Sequence, residues 1–445
     1  MTTIQAVPSA EFGAATIRKI QLRIIPYIFI LYIVAVLDRV NIGFAALTMN
    51  KELGITAQQF GNLAGIFFIG YFFFEVPSNV LLHKFGARVW IARILVSWGI
   101  VASLTGFAQN ATQVVIIRFL LGIAEAGFFP GMILYMTYWF RKRERAQAVA
   151  WFMTALPISS ILGAPISGLI LDHIRWLGVS SWRWLLVLEA LPAVILGVVT
   201  YFALPNRPGD ARFLTAEEKD WLTAQLKEEE QTTVSTQGHV SAWKALGHIR
   251  VWHLAIIYFT IIIGLYSLTF WLPQVVKLLS KSYSNTTVGF LVTIPHLCGL
   301  IAMIILSRHS DRTQERRFHA AIPAILGGCA LLLGAYINIY GAGFHGPVLA
   351  IALLALMAIG VDSFFGPFWS LPPKFLTGFA AASGIGLINS VGNLGGFVGP
   401  YVVGWARDHL GSVYYGLAFV GISMLISAFL VLLVKDKPVV ESVST

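Results

Sequence analysis

Charged side chains are scarce in this sequence of 445 residues. Asp, Glu, Lys and Arg together make up 12% of it, whereas 57% of the residues are hydrophobic. A soluble protein of this length carries about twice that charged fraction. The surface that meets water must therefore be small, and the composition predicts a protein embedded in a lipid bilayer.

Cysteines and clustered metal ligands are also rare. The two cysteines, Cys298 and Cys329, lie in separate apolar runs, which argues against a disulfide framework. The ten histidines lie mostly at loops and predicted helix ends, and they show no metal-ligand spacing and no nucleophile–base pair. We therefore expect neither an enzyme nor a cofactor. The net charge of +10 is assigned to loops on one side of the membrane and not to a nucleic-acid partner.

Long apolar runs make up much of the sequence. A membrane-spanning helix needs about 20 mostly apolar residues, and such runs fall into two sets of six around the polar stretch 205–250. They are 24–47, 60–82, 91–109, 112–136, 147–171, 184–204, 251–276, 286–306, 320–340, 347–370, 378–404 and 413–434. The sequence thus predicts an all-α integral membrane protein with twelve transmembrane helices. Its expected parts are a first six-helix bundle (1–204), a cytoplasmic linker (205–250) and a second six-helix bundle (251–445).

Basic residues concentrate on one side of this arrangement. They lie in the N-terminal tail and in the loops after spans 2, 4 and 8, and include Arg18, Lys19, Arg23, Lys84, Arg88, Arg141, Lys142, Arg143, Arg145, Arg308, Arg312, Arg316 and Arg317. Cytoplasmic loops of membrane proteins carry such an excess of Lys and Arg. We therefore predict a multi-pass protein of the inner (plasma) membrane with both termini in the cytoplasm.

The two sets of spans show signs of an internal repeat. Span 5 contains the residues LGAP at 162–165 and ends at Asp172, and span 11 contains VGP at 398–400 and ends at Asp408. Two similar halves around a polar linker are typical of secondary transporters, whose substrate site lies near the midplane between the halves. Because one chain supplies both halves, we expect a monomer.

A few ionisable residues lie inside predicted spans, where they are costly unless they have a function or a partner. Asp38 and Arg39 are adjacent in span 1, and Arg118 and Glu125 are two helical turns apart on one face of span 4. The planar fork of Arg matches a carboxylate, and a buried acid can exchange a proton. We therefore interpret Arg39 and Arg118 as substrate-binding residues for a small organic anion, and Asp38 and Glu125 as proton-coupling residues. The alternative is that all four form static ion pairs.

Polar and aromatic residues in mid-span can complete such a site. The candidates for substrate binding are Tyr71, Tyr266, Trp369, Ser370 and Asn389. Asp362, near the mouth of span 10, is a further candidate acid. Glu75 and Glu189 are interpreted as structural, because they lie nearer the predicted helix ends.

Several of these residues fall in segments that resemble the anion:cation symporters of the major facilitator superfamily. The first is 37–45 (LDRVNIGFA), in span 1. Three others are Arg118 with 125–131 (EAGFFPG), 367–372 (PFWSLP) and 389–396 (NSVGNLGG). The resemblance covers nearly the whole chain. One departure is His83 in the loop after span 2, at a position where the superfamily usually has an acid.

The resemblance implies a major-facilitator fold of two pseudo-symmetric bundles that expose one site alternately to each side. It also implies import of a carboxylate with protons as the coupling ion, in which Asp38 and Glu125 are protonatable and Tyr71 belongs to the site. The similarity is greatest to the tartrate, sugar-acid and hydroxyphenylacetate branch. A proton symporter of tartrate or a related sugar acid is therefore expected. An aromatic-acid symporter and an organic anion exchanger remain alternatives, and an exchanger would survive the loss of Glu125.

Overall fold

The computed structural model describes residues 10–236, 247–341, 343–344, 346–372 and 378–434. The regular structure of these residues is helical. In the first half the helices are α1 (Ala10–Glu52), α2 (Ala57–Phe85), α3 (Ala87–Thr105), α4 (Ala111–Glu125), α5 (Phe128–Thr137), α6 (Lys142–Met153), α7 (Ala155–His173) and α8 (Ser181–Ala203). Helix α9 (Ala216–Thr236) follows in the predicted linker.

The second half repeats the pattern. Its helices are α10 (Ile249–Leu279), α11 (Asn285–Thr313), α12 (Arg317–Tyr340), α13 (Pro347–Asp362), α14 (Phe365–Trp369), α15 (Gly378–Asn393), α16 (Gly395–His409) and α17 (Val413–Leu432). Eleven stretches of the described residues are long and apolar enough to cross a membrane. The twelfth predicted span, 378–404, corresponds to α15 and α16. The all-α membrane architecture predicted from the sequence is therefore confirmed.

The first helix is longer than predicted, since α1 begins at Ala10 and not near residue 24. Its polar start packs against α9, where the ring of Trp221 lies edge-on to Phe12 at 6.2 Å between centroids. Lys19 also forms an ion pair of 2.9 Å with Glu218 of α9. Residues 237–246 of the predicted linker lie outside the described residues, and the bundle boundaries 1–204 and 251–445 stay a prediction.

Short polar side chains start several of the spanning helices. Thr56 forms a capping box at the start of α2, where its hydroxyl accepts from the Gln59 backbone N–H and the Gln59 side chain accepts from that of Thr56. Asn110 caps α4 and Ser284 caps α11 in a similar way, through their side-chain oxygens. Such caps satisfy backbone N–H groups that have no partner inside the helix.

Within the described residues, four spans are each divided into two helices, namely α4 and α5, α6 and α7, α13 and α14, and α15 and α16. The break between α4 and α5 is caused by Gly127, whose φ of 85° is left-handed and whose missing side chain leaves room for Ser78. A residue with a Cβ is disfavoured in this conformation. The break makes Glu125 the last residue of α4, which places its carboxyl group deep inside the protein.

The helix ends define two faces of the molecule: the terminal face, where α1 begins and α2 ends, and the distal face, where α1 ends and α2 begins. The halves meet closely at the distal face, where Gly404 of α16 packs on the backbone of Ala57 and Gly168 of α7 packs on that of Asn285. A side chain at either glycine would collide with the facing backbone. This part of the interface is therefore closed.

The repeated residues Asp172 and Asp408 make equivalent contacts at this closure. Asp408, at the end of α16, accepts from the backbone N–H groups of Ala57 and Gln58 at 3.2 and 2.7 Å. Asp172, at the end of α7, accepts from the backbone N–H of Thr286 at 2.7 Å. A carboxylate at a helix N-terminus is favoured by the helix dipole. Each half thus caps a helix of the other half.

Candidate functional site

Arg39 of α1 is the centre of a buried cluster between the two halves. Its guanidinium forms an ion pair with Glu125 at the end of α4 and donates a hydrogen bond of 3.0 Å to the hydroxyl of Tyr266 on α10. The rings of Phe67 and Tyr71 on α2 lie 5.3 and 5.8 Å from the guanidinium carbon. One side chain therefore connects both halves of the chain. We call these five residues the Arg39 cluster.

The cluster is removed from solvent but retains free bonding capacity. Glu125 is 0% exposed and Arg39 7% exposed. Within the described residues, Oε2 of Glu125 and Nε of Arg39 have no hydrogen-bond partner. A buried ion pair is costly to desolvate, and losing one partner leaves the other charge uncompensated. The cluster can therefore bind a further polar group.

Arg118 lies beside this cluster without a carboxylate of its own. Its guanidinium carbon is 5.4 Å from the centre of the Phe67 ring, and one nitrogen is 3.4 Å from the backbone oxygen of Arg39. Arg118 is 2% exposed, and in the part of the chain that the structure covers no carboxylate lies within 4.0 Å of it. Its positive charge thus remains available to an anion.

Asp38 points away from the Arg39 cluster. One carboxyl oxygen accepts a hydrogen bond of 2.6 Å from the indole N–H of Trp98 on α3, and the other has no partner among the described residues. Adjacent helix residues point about 100° apart. Asp38 and Arg39 therefore lie on different faces of α1, and only Arg39 faces the second half.

Asn389 binds an acid other than Glu125. The side chains of Asn389 and Ser390 on α15 each donate a hydrogen bond of 2.7 Å to the carboxylate of Glu75 on α2. Glu75 is 3% exposed and thus buried, although its sequence position suggests a structural residue near a helix end. It lies one helical turn beyond Tyr71, on the same face of α2. The four-residue spacing from Tyr71 is the sequence signal that could have indicated that Glu75 shares the buried face of α2.

Trp369 packs against Tyr258 of α10, and Ser370 is the next residue along the chain. The Trp369 ring packs edge-on against Tyr258 at 4.9 Å between centroids. The Ser370 hydroxyl donates to the backbone oxygen of Gly366 in its own helix at 3.0 Å. Tyr258 is eight residues from Tyr266 on α10, or about 12 Å at 1.5 Å per residue. These two candidates therefore flank the Arg39 cluster toward the terminal face.

Asp362 lies inside the second half and not at the mouth of span 10. It is the last residue of α13, is 6% exposed and packs over Gly299 of α11. One of its oxygens has no partner in the described part of the chain. Among these residues, no group of three His, Cys, Asp or Glu side chains could hold a metal ion.

A sequence model described as Major Facilitator Superfamily matches residues 28–400. The chain belongs to this superfamily. An Agrobacterium vitis protein named "Putative tartrate transporter" is 48% identical over 427 residues, which cover 96% of this chain and 93% of that protein. An Acinetobacter baumannii protein named "Quinolone resistance transporter" is 40% identical over 96% of both chains.

The fold also matches a solved structure of the superfamily. The inward-open xylose transporter XylE from E. coli superimposes with a TM-score of 0.72 and 13% identity, over 92% of this chain and 95% of that one. The family and its relatives confirm that the chain is a multi-pass membrane transporter with a small-molecule substrate and not an enzyme.

Proposed function

We propose that this transporter imports a small organic carboxylate, tartrate or a related sugar acid, by proton symport with alternating access. It acts as a monomer in the inner membrane, with both termini in the cytoplasm. The relatives named for tartrate transport, at 48% and 46% identity, support the substrate class. The ion pair between Arg39 and Glu125 is the observation that carries the proposed mechanism.

The pair couples anion binding to protonation through competition for one guanidinium. When a substrate carboxylate binds Arg39, it displaces Glu125 from its cationic partner. A buried carboxylate without a partner is costly, so Glu125 takes up a proton and becomes neutral. The same linkage makes protonation of Glu125 favour anion binding. Arg118, which has no carboxylate partner of its own in the described residues, supplies a second cation for the substrate.

The same contacts support the proposed alternating access. The hydrogen bond between Arg39 and Tyr266 joins α1 to α10, so that substrate binding at Arg39 changes a contact between the halves. On the distal face, the caps at Asp172 and Asp408 must open for the site to reach that side. Both sets of contacts are local and reversible, which suits two halves that rock about the site.

Uptake of labelled L-tartrate into right-side-out vesicles tests the proposal. We expect uphill uptake that requires an imposed inward proton gradient and that is lost in Glu125→Gln. The matched control is Glu52→Gln, which removes a carboxylate bound to Arg183 at the distal end of α1. Uptake that ignores the gradient, with normal anion exchange in Glu125→Gln, would instead identify an exchanger and contradict symport.

A second candidate substrate class is an aromatic acid, because aromatic rings line the Arg39 cluster. Phe68 packs on Tyr266 at 4.2 Å between centroids, and Phe67 packs on Tyr71 at 5.8 Å. Competition by 4-hydroxyphenylacetate, a sugar acid and a neutral sugar separates the classes. Stronger competition by the aromatic acid than by tartrate would favour this alternative. Equal competition by the neutral sugar would contradict an anion site.

A further inference from the structure

A second carboxylate of the protein is bound between the two halves. Glu75 of α2 accepts hydrogen bonds of 2.7 Å from the amide of Asn389 and from the hydroxyl of Ser390, both on α15. Each of its two oxygens has one of these donors. The three residues are 3%, 7% and 8% exposed. The second half therefore presents two buried donors to a carboxylate at this position.

Contacts along α2 connect this position to the Arg39 cluster. The ring of Tyr71 lies 5.8 Å from the guanidinium carbon of Arg39. Glu75 follows Tyr71 by four residues, and both are buried. Residues four apart lie on one face of a helix, about 6 Å apart along its axis at 1.5 Å per residue. The guanidinium of Arg39 and the donors on α15 thus meet consecutive turns of the same face of α2.

Helix α15 also contacts the surroundings of Trp369. Gly392, one turn after Asn389, packs on the ring of Tyr258, and a side chain at Gly392 would collide with that ring. The other side of this contact is Trp369, which lies 4.9 Å from Tyr258 between ring centroids. Asn389 and Trp369, both predicted to bind substrate, are therefore joined through one tyrosine.

Glu75 is held by neutral donors and not by a cation. Within the described residues, no Lys, Arg or His forms an ion pair with it. Helix α15 carries no ionisable side chain, and the charged residues of α16 lie in its last turn, at the distal end. From α1 and α4, Arg39 and Arg118 pack on a ring of α2, and Glu125 pairs with Arg39. From α3, Arg93 stacks on a tryptophan of its own helix.

Glu125 and Glu75 thus each occupy a set of donors that suits a carboxylate. The donor to Glu125 is a guanidinium, and the donors to Glu75 are an amide and a hydroxyl. A donor set that binds a carboxylate of the protein is equally suited to a carboxylate of a ligand. From ordinary bond lengths, the outer oxygens of an extended four-carbon diacid are roughly 6 Å apart. This length matches the spacing of one turn along α2.

We propose that the substrate is a short dicarboxylate, one end of which displaces Glu125 from Arg39 while the other displaces Glu75 from Asn389 and Ser390. The proposal rests on the function proposed above and narrows its substrate class to diacids such as tartrate. A monocarboxylate engages Arg39 alone and leaves Glu75 on its donors.

Displacement of Glu75 also binds a proton. A buried carboxylate without its donors is costly, so a hydronium ion from the side of substrate entry gives Glu75 a proton and becomes water. One O–H bond forms on the carboxylate, and Glu75 becomes a neutral acid. Because Glu125 is neutralised in the same way, the two charges of the diacid are matched by two protonated glutamates.

L-Tartrate and L-threonate test the dicarboxylate site, because threonate has a hydroxymethyl group in place of one carboxylate. Both are used as competitors of labelled tartrate in vesicles of the wild type. We expect threonate to require a concentration about tenfold or more higher than tartrate for half-inhibition, as for loss of hydrogen bonds to a charged group. Equal inhibition by the two acids would overturn the proposal.

Asn389→Ala tests the assignment of the second carboxylate. We expect it to raise the half-inhibitory concentration of tartrate by about tenfold and to leave that of threonate unchanged. Asn338→Ala is the matched control, because the Asn338 amide donates to the backbone oxygen of Gly334 in its own helix at 2.8 Å. An equal loss for both acids in Asn389→Ala is the result expected of a packing residue and would overturn the assignment.

Proton binding tests the role of Glu75 without transport. Tartrate is added to the purified transporter in weakly buffered detergent solution, and the protons taken up are measured with a pH electrode. We expect Glu75→Gln to take up one proton fewer per tartrate than the wild type, since Gln has no carboxylate to protonate. With threonate, the wild type and Glu75→Gln should take up the same number. Equal numbers with tartrate would contradict protonation of Glu75.

The wild type separates this inference from the function on which it rests. Tartrate uptake that ignores the proton gradient would contradict symport, and counterflow would then measure the preference between tartrate and threonate. Gradient-driven uptake of both acids with equal half-saturating concentrations would leave symport intact and contradict the dicarboxylate site alone.

Discussion

The guanidinium of Arg39 donates a hydrogen bond of 3.0 Å to the hydroxyl of Tyr266, which lies 227 positions later in the chain. The first residue belongs to α1 and the second to α10, so the bond joins the two halves of the repeat. The same guanidinium pairs with Glu125. The residue proposed to bind the substrate anion is therefore also a contact between the two halves.

Tyr266→Phe is expected to weaken tartrate binding, because it removes the hydroxyl that orients Arg39. A hydrogen bond to a charged group contributes about 1.5–3 kcal/mol, or roughly tenfold to a hundredfold in affinity. The concentration dependence of tartrate uptake measures the change. Tyr336→Phe is the matched control, because Tyr336 is 63% exposed. An unchanged half-saturating concentration in Tyr266→Phe would show that the bond does not orient Arg39 for binding.

Removing one member of the Arg39–Glu125 pair is expected to destabilise the protein more than removing both. A buried charge left without its partner costs about 3–5 kcal/mol, whereas apolar replacement of a whole buried pair is often neutral. Arg39→Met should therefore unfold at a lower temperature than the wild type, and Arg39→Met with Glu125→Met should recover much of the difference. Thermal unfolding of the detergent-solubilised variants, followed by tryptophan fluorescence, measures this. Additive losses in the double variant would contradict direct pairing.

Glu75→Ala is expected to loosen the second contact between the halves. It leaves the buried donors of Asn389 and Ser390 without their acceptor, at a cost of about 1–3 kcal/mol for each donor. Ser390→Ala removes one donor but leaves Glu75 bound to Asn389, so its effect should be smaller. The unfolding temperatures and uptake rates of the two variants test this order. A wild-type unfolding temperature in Glu75→Ala would mean that the contact contributes little.

Gly404→Val is expected to prevent closure at the distal face. A Cβ at Gly404 meets the backbone oxygen of Ala57, which cannot move without displacing α2. Gly209→Val is the matched control, since nothing lies within 4 Å of a Cβ at that position. We expect Gly404→Val to lose tartrate uptake and Gly209→Val to retain it. Normal transport by Gly404→Val would mean that this closure is not part of the transport cycle.

The sequence predicted the membrane architecture well because hydrophobicity is a local property. Each apolar run of about 20 residues indicates a span whatever its neighbours are, and the positions of Arg39 and Glu125 marked costly groups within such spans. The paired residues Asp172 and Asp408 were likewise visible as a repeat, and the structure gives them equivalent capping contacts. The start of α1 was predicted too late, because its polar first turns face α9 and not lipid.

The partners of the buried charges could not be derived in the same way. Asp38 and Arg39 are neighbours in sequence, yet the rotation of α1 directs one to Trp98 and the other to Glu125 and Tyr266. Asn389 donates to Glu75, which lies 314 positions away, and its predicted role in substrate binding stays a prediction.

The sequence by itself determined that this chain forms membrane-spanning helices and that a few ionised groups are buried within them. Only the tertiary structure decided which of those groups meet. The physical reason is that burial of apolar side chains depends on composition along one helix, whereas an ion pair or hydrogen bond depends on the rotation, breaks and packing of two helices. The break at Gly127 illustrates this, since it ends α4 at Glu125 and brings that carboxyl group to Arg39.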